Sequence, residues 1–405
     1  MKTQTLLTLL LAVAPATAAD WPGYLGPNAS GIAPGKIRTD WKSNPPRTLW
    51  KANVGKGCAS FAIADGRAIT LGNDGKTDTV WCFDATTGKT LWKQQYGEKL
   101  APKYYDGGPS CTPAIDGNRV YTLSKSGLLH CLDVASGKVI WRKHYVKDFG
   151  GRAPTWGFAA SPVIDGNLLY ALPASKQGAF FALDKKTGAV AWKSDDQSKA
   201  GYAAPVITKV KGTRAALVFH GREIVAYALE GAKGRRLFEH SWRTSYDVNA
   251  SNPQYHDGKV FIASGYGMGY VVLDVSGGRP RALHGDNDTR MIFQNSLLVD
   301  GDIMGVFGDK RLDAELIRMD MASGKVRWRH RIPGTRGSAA LIGKTLVVLS
   351  ETGDLVVGTP SKSGFKELGR RKILPKTCWA PVAVAGGKVY ARTNKGEAVC
   401  VDIGG

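Results

Sequence analysis

Apolar and polar positions alternate in short runs along most of this chain, and each run is bounded by Gly, Asn, Asp or Ser. Period-two alternation marks a strand with one buried face, and the bounding residues are those that turn the backbone. Residues 110–143 show the unit. Residues 111–116 form a short run that ends in an Asp116-Gly117-Asn118 turn. Residues 119–124 form a second run, Lys125-Ser126-Gly127 turns the chain, and residues 128–133 and 138–141 supply two more. The pattern predicts four antiparallel strands per unit, and no helical periodicity competes with it.

The unit recurs. Asp84, Gly88 and Trp92 share their spacing with Asp133, Gly137 and Trp141, with Asp184, Gly188 and Trp192, and with Asp320, Gly324 and Trp328. Weaker copies run over residues 230–238 and 274–282. The successive steps from Trp50 to Trp92, Trp141 and Trp192 are of propeller-blade length. First strands begin at Phe61, Thr112, Ser161, Ala204, Asn252, Ser296, Ala339 and Ala380, which makes eight units. The last unit ends at Asp402, where its fourth strand is due. Residues 47–54 repeat the pattern of residues 89–96, so this N-terminal strand is expected to complete the last blade. The expected fold class is therefore all-β: an eight-bladed β-propeller of four-stranded antiparallel blades, with a closed ring that leaves few edges to pair with other chains.

Three further features place the chain. Lys2, the apolar run of residues 6–14 and the small residues Ala16-Thr17-Ala18 have the order of a secretory signal, cleaved near Ala18 or Ala19. The domains read as a signal peptide over 1–19, an N-terminal extension over 20–46 and the propeller over 47–405. The 50 glycines are scattered, as many tight turns require. The 55 Lys and Arg against 34 Asp and Glu give a net charge of +21, which favours anionic partners. Secretion directs that preference to acidic polymers or headgroups, away from nucleic acid. Residues 320–376 concentrate the excess.

The Gly-Lys-x-x-Trp strand ends, the Ser161-Pro162-x-x-Asp165-Gly166 first strand and the Ala182-Leu183-Asp184 third strand resemble the PQQ-like repeat. That repeat builds the quinoprotein alcohol dehydrogenase-like propellers and the outer-membrane-assembly propellers of the BamB type. The opening Trp21-Pro22, with Gly26-Pro27-Asn28, resembles secreted bacterial members of the superfamily. The resemblance implies that Trp50, Trp92, Trp141, Trp192 and Trp328 dock each blade on its neighbour, as an aromatic at fixed register does. It also implies what an active quinoprotein would carry: adjacent cysteines, an Asp base, and acidic and amide ligands to calcium. The chain has no adjacent cysteine pair and no Cys-x-x-Cys-His haem motif, so no catalytic or metal-binding residue is carried over.

The six cysteines sort by register. Cys82, Cys131 and Cys400 take third-strand positions where other units carry Ala182, Ala228 or Val272, and read as small apolar fillers. Cys58, Cys111 and Cys378 precede first strands and are expected at the axial mouth. All six are expected as free thiols.

In a propeller the connections from fourth to first strands gather around the axis on one face. Here they are long and aromatic: residues 96–108 hold Tyr104 and Tyr105, residues 147–157 hold Phe149, Arg152 and Trp156, and a later one holds Tyr246. Trp156, Tyr202, Arg290, Arg336 and Trp379 are the candidate ligand-binding residues. The reading is a non-catalytic periplasmic or secreted propeller, acting as a monomer without cofactor or membrane span. It binds a protein partner or an anionic envelope polymer or glycan through its axial face. Its alternative is a quinoprotein-type oxidoreductase with a degenerate site, using PQQ with calcium. A carbohydrate-active enzyme would require paired carboxylates in the mouth.

Overall fold

The computed structural model describes residues 20–310 and 312–404; the expected signal peptide over 1–19 lies outside the described residues. Eight sheets form the ring. Blade 1 consists of Ala62–Ala64, Arg67–Asn73, Thr77–Asp84 and Thr90–Gly97, each antiparallel to the strand before it. Blades 2 to 7 repeat this over residues 114–144, 163–193, 206–241, 254–286, 296–331 and 337–372. Blade 8 takes three strands from residues 383–402 and its fourth from Arg47–Asn53, which pairs antiparallel with Glu397–Asp402 and sets Trp50 opposite Cys400. The N-terminal strand therefore closes the ring, as its sequence match to blade 1 requires.

A β-bulge directly precedes each of Trp50, Trp92, Trp141, Trp192 and Trp328. Four of these indoles lock onto the following blade in one way. Trp50 donates to Ala85 O at 3.2 Å, Trp92 to Val134 O at 2.9 Å, Trp141 to Lys185 O at 3.2 Å and Trp328 to Ser361 O at 2.9 Å. Each acceptor directly follows a third strand of the next blade. Where that strand leads into the Asp-to-Gly turn, the tryptophan lies against the turn glycine. A Cβ on Gly88 would stand 2.5 Å from Trp50, and the φ of +72° there also favours glycine. Blade 5 substitutes His284, which bonds Met321 O at 3.0 Å. Trp192 packs without such a bond, and its indole nitrogen is buried and unpaired.

Blade 7 departs from the pattern, and the N-terminal segment compensates. Its residue at the tryptophan register is Gly369, opposite Val357. Trp41, 7% exposed, lies over Gly369, where a Cβ would come within 2.7 Å of its ring. The segment 20–46 is thus part of the core. Trp21 exchanges backbone hydrogen bonds with Ile63, Pro22 O accepts from Ile115 N, and Ile32–Ala33 adds a parallel fifth strand to blade 7 at Leu341 and Ile342. These contacts lie beside the turns from first to second strand. The segment crosses the channel there and closes one end of it.

Among the described residues three short helical elements depart from the all-strand expectation: Pro27–Ala29, Tyr145–Phe149 and Ser245–Asp247. The connection after blade 2 opens with a single helical turn, Tyr145–Phe149. His144 caps it by accepting from Val146 N, and Gly150 ends it in the left-handed region. Tyr145 and Phe149 are buried, so the turn anchors the loop by its apolar side.

Candidate functional site

A cavity of about 270 Å³ opens on the axis. All eight connections from fourth to first strands reach it: Cys58, Ser110, Trp156, Tyr202, Val248, Phe293, Arg336 and Trp379 come one from each. Tyr266 and Lys310 join from turns between second and third strands. Tyr24, on the segment that crosses the far end of the channel, lines it as well, so the cavity is a cup with one mouth.

The walls are tied to one another. Trp156 donates its indole N–H to Lys103 O at 2.9 Å and its backbone N–H to the Tyr202 hydroxyl at 3.3 Å. Lys125 donates to Ala101 O and lies 4.8 Å from the centre of the Tyr105 ring. Across the cavity, Arg336 lies beside two packed rings, its guanidinium 5.3 Å from Phe293 and 5.0 Å from Trp379, whose centres are 5.1 Å apart. Glu351 joins this group: it receives Arg336 at 3.1 Å and the Trp379 indole at 2.8 Å. Burial acts to raise the Glu351 pKa, but the bonds from Trp379 and Thr335 and the charge of Arg336 hold it below the ordinary carboxylate value. Burial raises the phenols of Tyr24, Tyr105 and Tyr202, which stay neutral.

The lining is electrostatically one-sided. Lys103, Lys310 and Arg336 bring three positive charges, and none of the lining residues is a carboxylate. Lys103 and Lys310 are exposed, with no ion-pair partner among the described residues. Eight lining residues are aromatic. Such walls hold an anionic group by charge and its apolar parts by ring contact.

Of the five binding candidates, Trp156, Tyr202, Arg336 and Trp379 meet in the cavity. Arg290 stands outside its lining, 3.5 Å from both Asp288 and Asp309. Of the three cysteines expected at the mouth, only Cys58 lines the cavity. Burial pushes its thiol up to about 12; Asp106 adds to the rise, while Arg392 and Lys125 oppose it. Cys111 turns away towards Phe158 O and Ala160 O, and Cys378 towards Pro375 O. All six cysteines are unpaired thiols. The residue of blade 4 that matches Cys82, Cys131 and Cys400 is Ala226, not Ala228. The sequence reading left Tyr24, Tyr266, Phe293 and Lys310 out of the site. Tyr266 and Lys310 lie on turns that carry no loop-length signal, and Tyr24 lies in a segment with no repeat register.

Among known proteins, the family model described as outer membrane protein assembly factor BamB matches residues 76–330. A BamB structure from Moraxella catarrhalis superimposes with a TM-score of 0.61 at 15% identity, covering 88% of this chain and 99% of that one. A quinohemoprotein alcohol dehydrogenase from Comamonas testosteroni gives a TM-score of 0.66 at 13% identity, covering 95% of this chain and 81% of that one. At these identities the likeness is one of fold. A polyvinylalcohol dehydrogenase from Pseudomonas sp is 32% identical over 95 residues, which are 22% of this chain and 14% of that protein. The match thus spans about a seventh of that relative's length.

Proposed function

The chain belongs to the family described as outer membrane protein assembly factor BamB, and we propose that it is a non-catalytic binding propeller of the cell envelope. In this reading the axial cup receives an anionic group of a protein partner or envelope polymer. The observation that carries it is the lining: three cations, eight aromatic rings and no carboxylate. The N-terminal secretory pattern supports a periplasmic or secreted site of action, and no helix among the described residues is long and apolar enough to cross a membrane.

The oxidoreductase alternative needs ligands for calcium and a base. The cup lining offers neither Asp nor Glu, and Glu351 behind it is engaged by Arg336, Trp379 and Thr335. Hard cations take carboxylate and carbonyl oxygens, so this donor set, without a carboxylate, does not suit PQQ with calcium. Adding PQQ and calcium with an alcohol and a redox dye tests this directly: dye reduction would restore the enzyme reading.

Titration with an anionic polymer at rising salt tests the binding reading. Charge attraction weakens as screening shortens from about 10 Å at 0.1 M to about 3 Å at 1 M. The double variant Lys103→Ser/Lys310→Ser should weaken binding and flatten the salt response. Lys362→Ser/Lys366→Ser, on the outer face of blade 7, should change it little. The reverse order would move the site to the outer basic flank.

A further inference from the structure

Beside the cup lies a second cavity of about 230 Å³, lined by Arg152, Pro154, Thr155, Lys199, Tyr246 and Asp247, among others. An aromatic pair links the two linings. Trp156 lines the cup, Tyr246 lines the outer cavity, and their rings meet edge to face at 5.8 Å and 84°. We infer that the two cavities are consecutive subsites for one extended acidic oligosaccharide, which crosses the Trp156–Tyr246 ridge. This rests on the binding reading above and names the class of ligand.

Charge supports it first. Around the outer cavity, Arg152, Lys199 and Arg222 face one carboxylate, Asp247, which Lys199 and Arg222 share at 3.1 and 2.7 Å. Arg152 donates to Ala174 O at 2.9 Å and Gln197 O at 3.2 Å and has no carboxylate partner among the described residues. Positive charge therefore continues from the cup into the outer cavity, and a chain with an anion on successive units meets a cation in each.

The aromatic surface supports it next. Tyr246 is 67% exposed and Tyr104, on the rim of the cup, 92%. Both sit in the left-handed region, with φ of 62° and 63°, and so does Tyr266 in the cup wall, at 59°. Non-glycine residues there are strained, and the surrounding structure must sustain them. The strain presents flat rings to solvent, the surface that the C–H faces of sugar rings cover. A peptide held by its backbone or its apolar side chains would need a free strand edge or apolar pockets. The apolar residues of the outer lining are instead small or rigid: Ala153, Ala174, Ala200 and Pro154 beside Tyr246.

Calorimetry with galacturonic acid oligomers of increasing length tests the inference on the mature chain. Linked subsites raise affinity through effective concentration, so a tetramer should bind at least about tenfold tighter than the monomer. Tyr246→Ser and Lys199→Ser should each remove most of that gain, weakening the tetramer far more than the monomer; both side chains are surface-exposed, and melting curves verify the fold. Lys103→Ser/Lys310→Ser should weaken monomer and tetramer alike. Equal affinity at every length with silent outer-cavity variants would overturn the inference, and the cup would remain a binding site. Polyglutamate binding as tightly as the oligomers would overturn the sugar assignment. Failure of every oligomer to bind, with the cup variants silent towards other polyanions, would overturn both readings.

Discussion

The Trp50 indole donates to the carbonyl of Ala85 across the seam where the two ends of the ring meet, at 3.2 Å. Tyr390 of blade 8 donates its hydroxyl to the same carbonyl at 3.0 Å. The rings of Phe61, Phe83 and Tyr390 surround Trp50, with centres 6.2, 5.6 and 6.0 Å away. Two strands distant in sequence thus share one apolar joint, sealed by a pair of converging hydrogen bonds.

Trp50→Ala should therefore cost on the order of 3–5 kcal/mol, as loss of a buried aromatic does. Trp41→Ala should also cost several kcal/mol by the same mechanism, although residue 41 precedes the first strand of the ring. Urea titrations of both variants measure this. A Trp41→Ala midpoint equal to wild type would separate the segment 20–46 from the stability of the ring.

Arg392 is a second fastener of the seam. It is fully buried and donates to Leu71 O, to Gly55 O at 2.6 Å and to Thr393 O at 3.3 Å. Burial lowers its pKa to about 10, with Cys58 opposing the fall, so it remains charged at neutral pH. Arg392→Met would leave buried carbonyls unpaired, each costing about 1–3 kcal/mol. Its denaturation midpoint should fall clearly below wild type; an unchanged midpoint would refute the role.

Asp78 should make stability fall as pH rises. It is fully buried, its Oδ1 accepting from Asn73 at 2.6 Å, and burial raises its pKa to about 7 despite that bond. Between the unfolded value near 4 and pH 7 the folded chain holds a proton that the unfolded chain releases. Its contribution is full below pH 4 and lost through pH 7, on the order of 4 kcal/mol. Asp78→Asn removes this term, so the variant should gain on wild type from pH 4 to pH 7. Melting temperatures of the pair across that range provide the measurement, and parallel curves would contradict it.

Cys58 should report on the cup. It is the lining cysteine, and the other five are buried. A small neutral alkylating agent at pH 8.5 should modify one thiol of the native chain, slowly because the pKa is near 12. After unfolding, all six should react. A bound anionic ligand should slow the native reaction, whereas labelling of two thiols at equal rates would mean a more open mouth.

The sequence carried the blades in local signals. Alternation fixes which face of each strand is buried, Asp-to-Gly spacing fixes the turns, and the recurring tryptophans fix the repeat. The same logic matched residues 47–54 to an outer strand and so determined ring closure. Trp156, Tyr202, Arg336 and Trp379 were legible as residues facing the axial cavity because they sit on connections whose place around the axis follows from the repeat. Trp41 was not legible, since it fills a gap left by Gly369 from a segment without register. Nor was the place of Arg290 outside the lining, where its charge meets Asp309 and Asp288, while Arg336 keeps Glu351 behind the lining. The physical reason is range: backbone alternation and turn chemistry act between neighbours in sequence, whereas charge pairing and the filling of a gap depend on distances that exist only once the ring has closed.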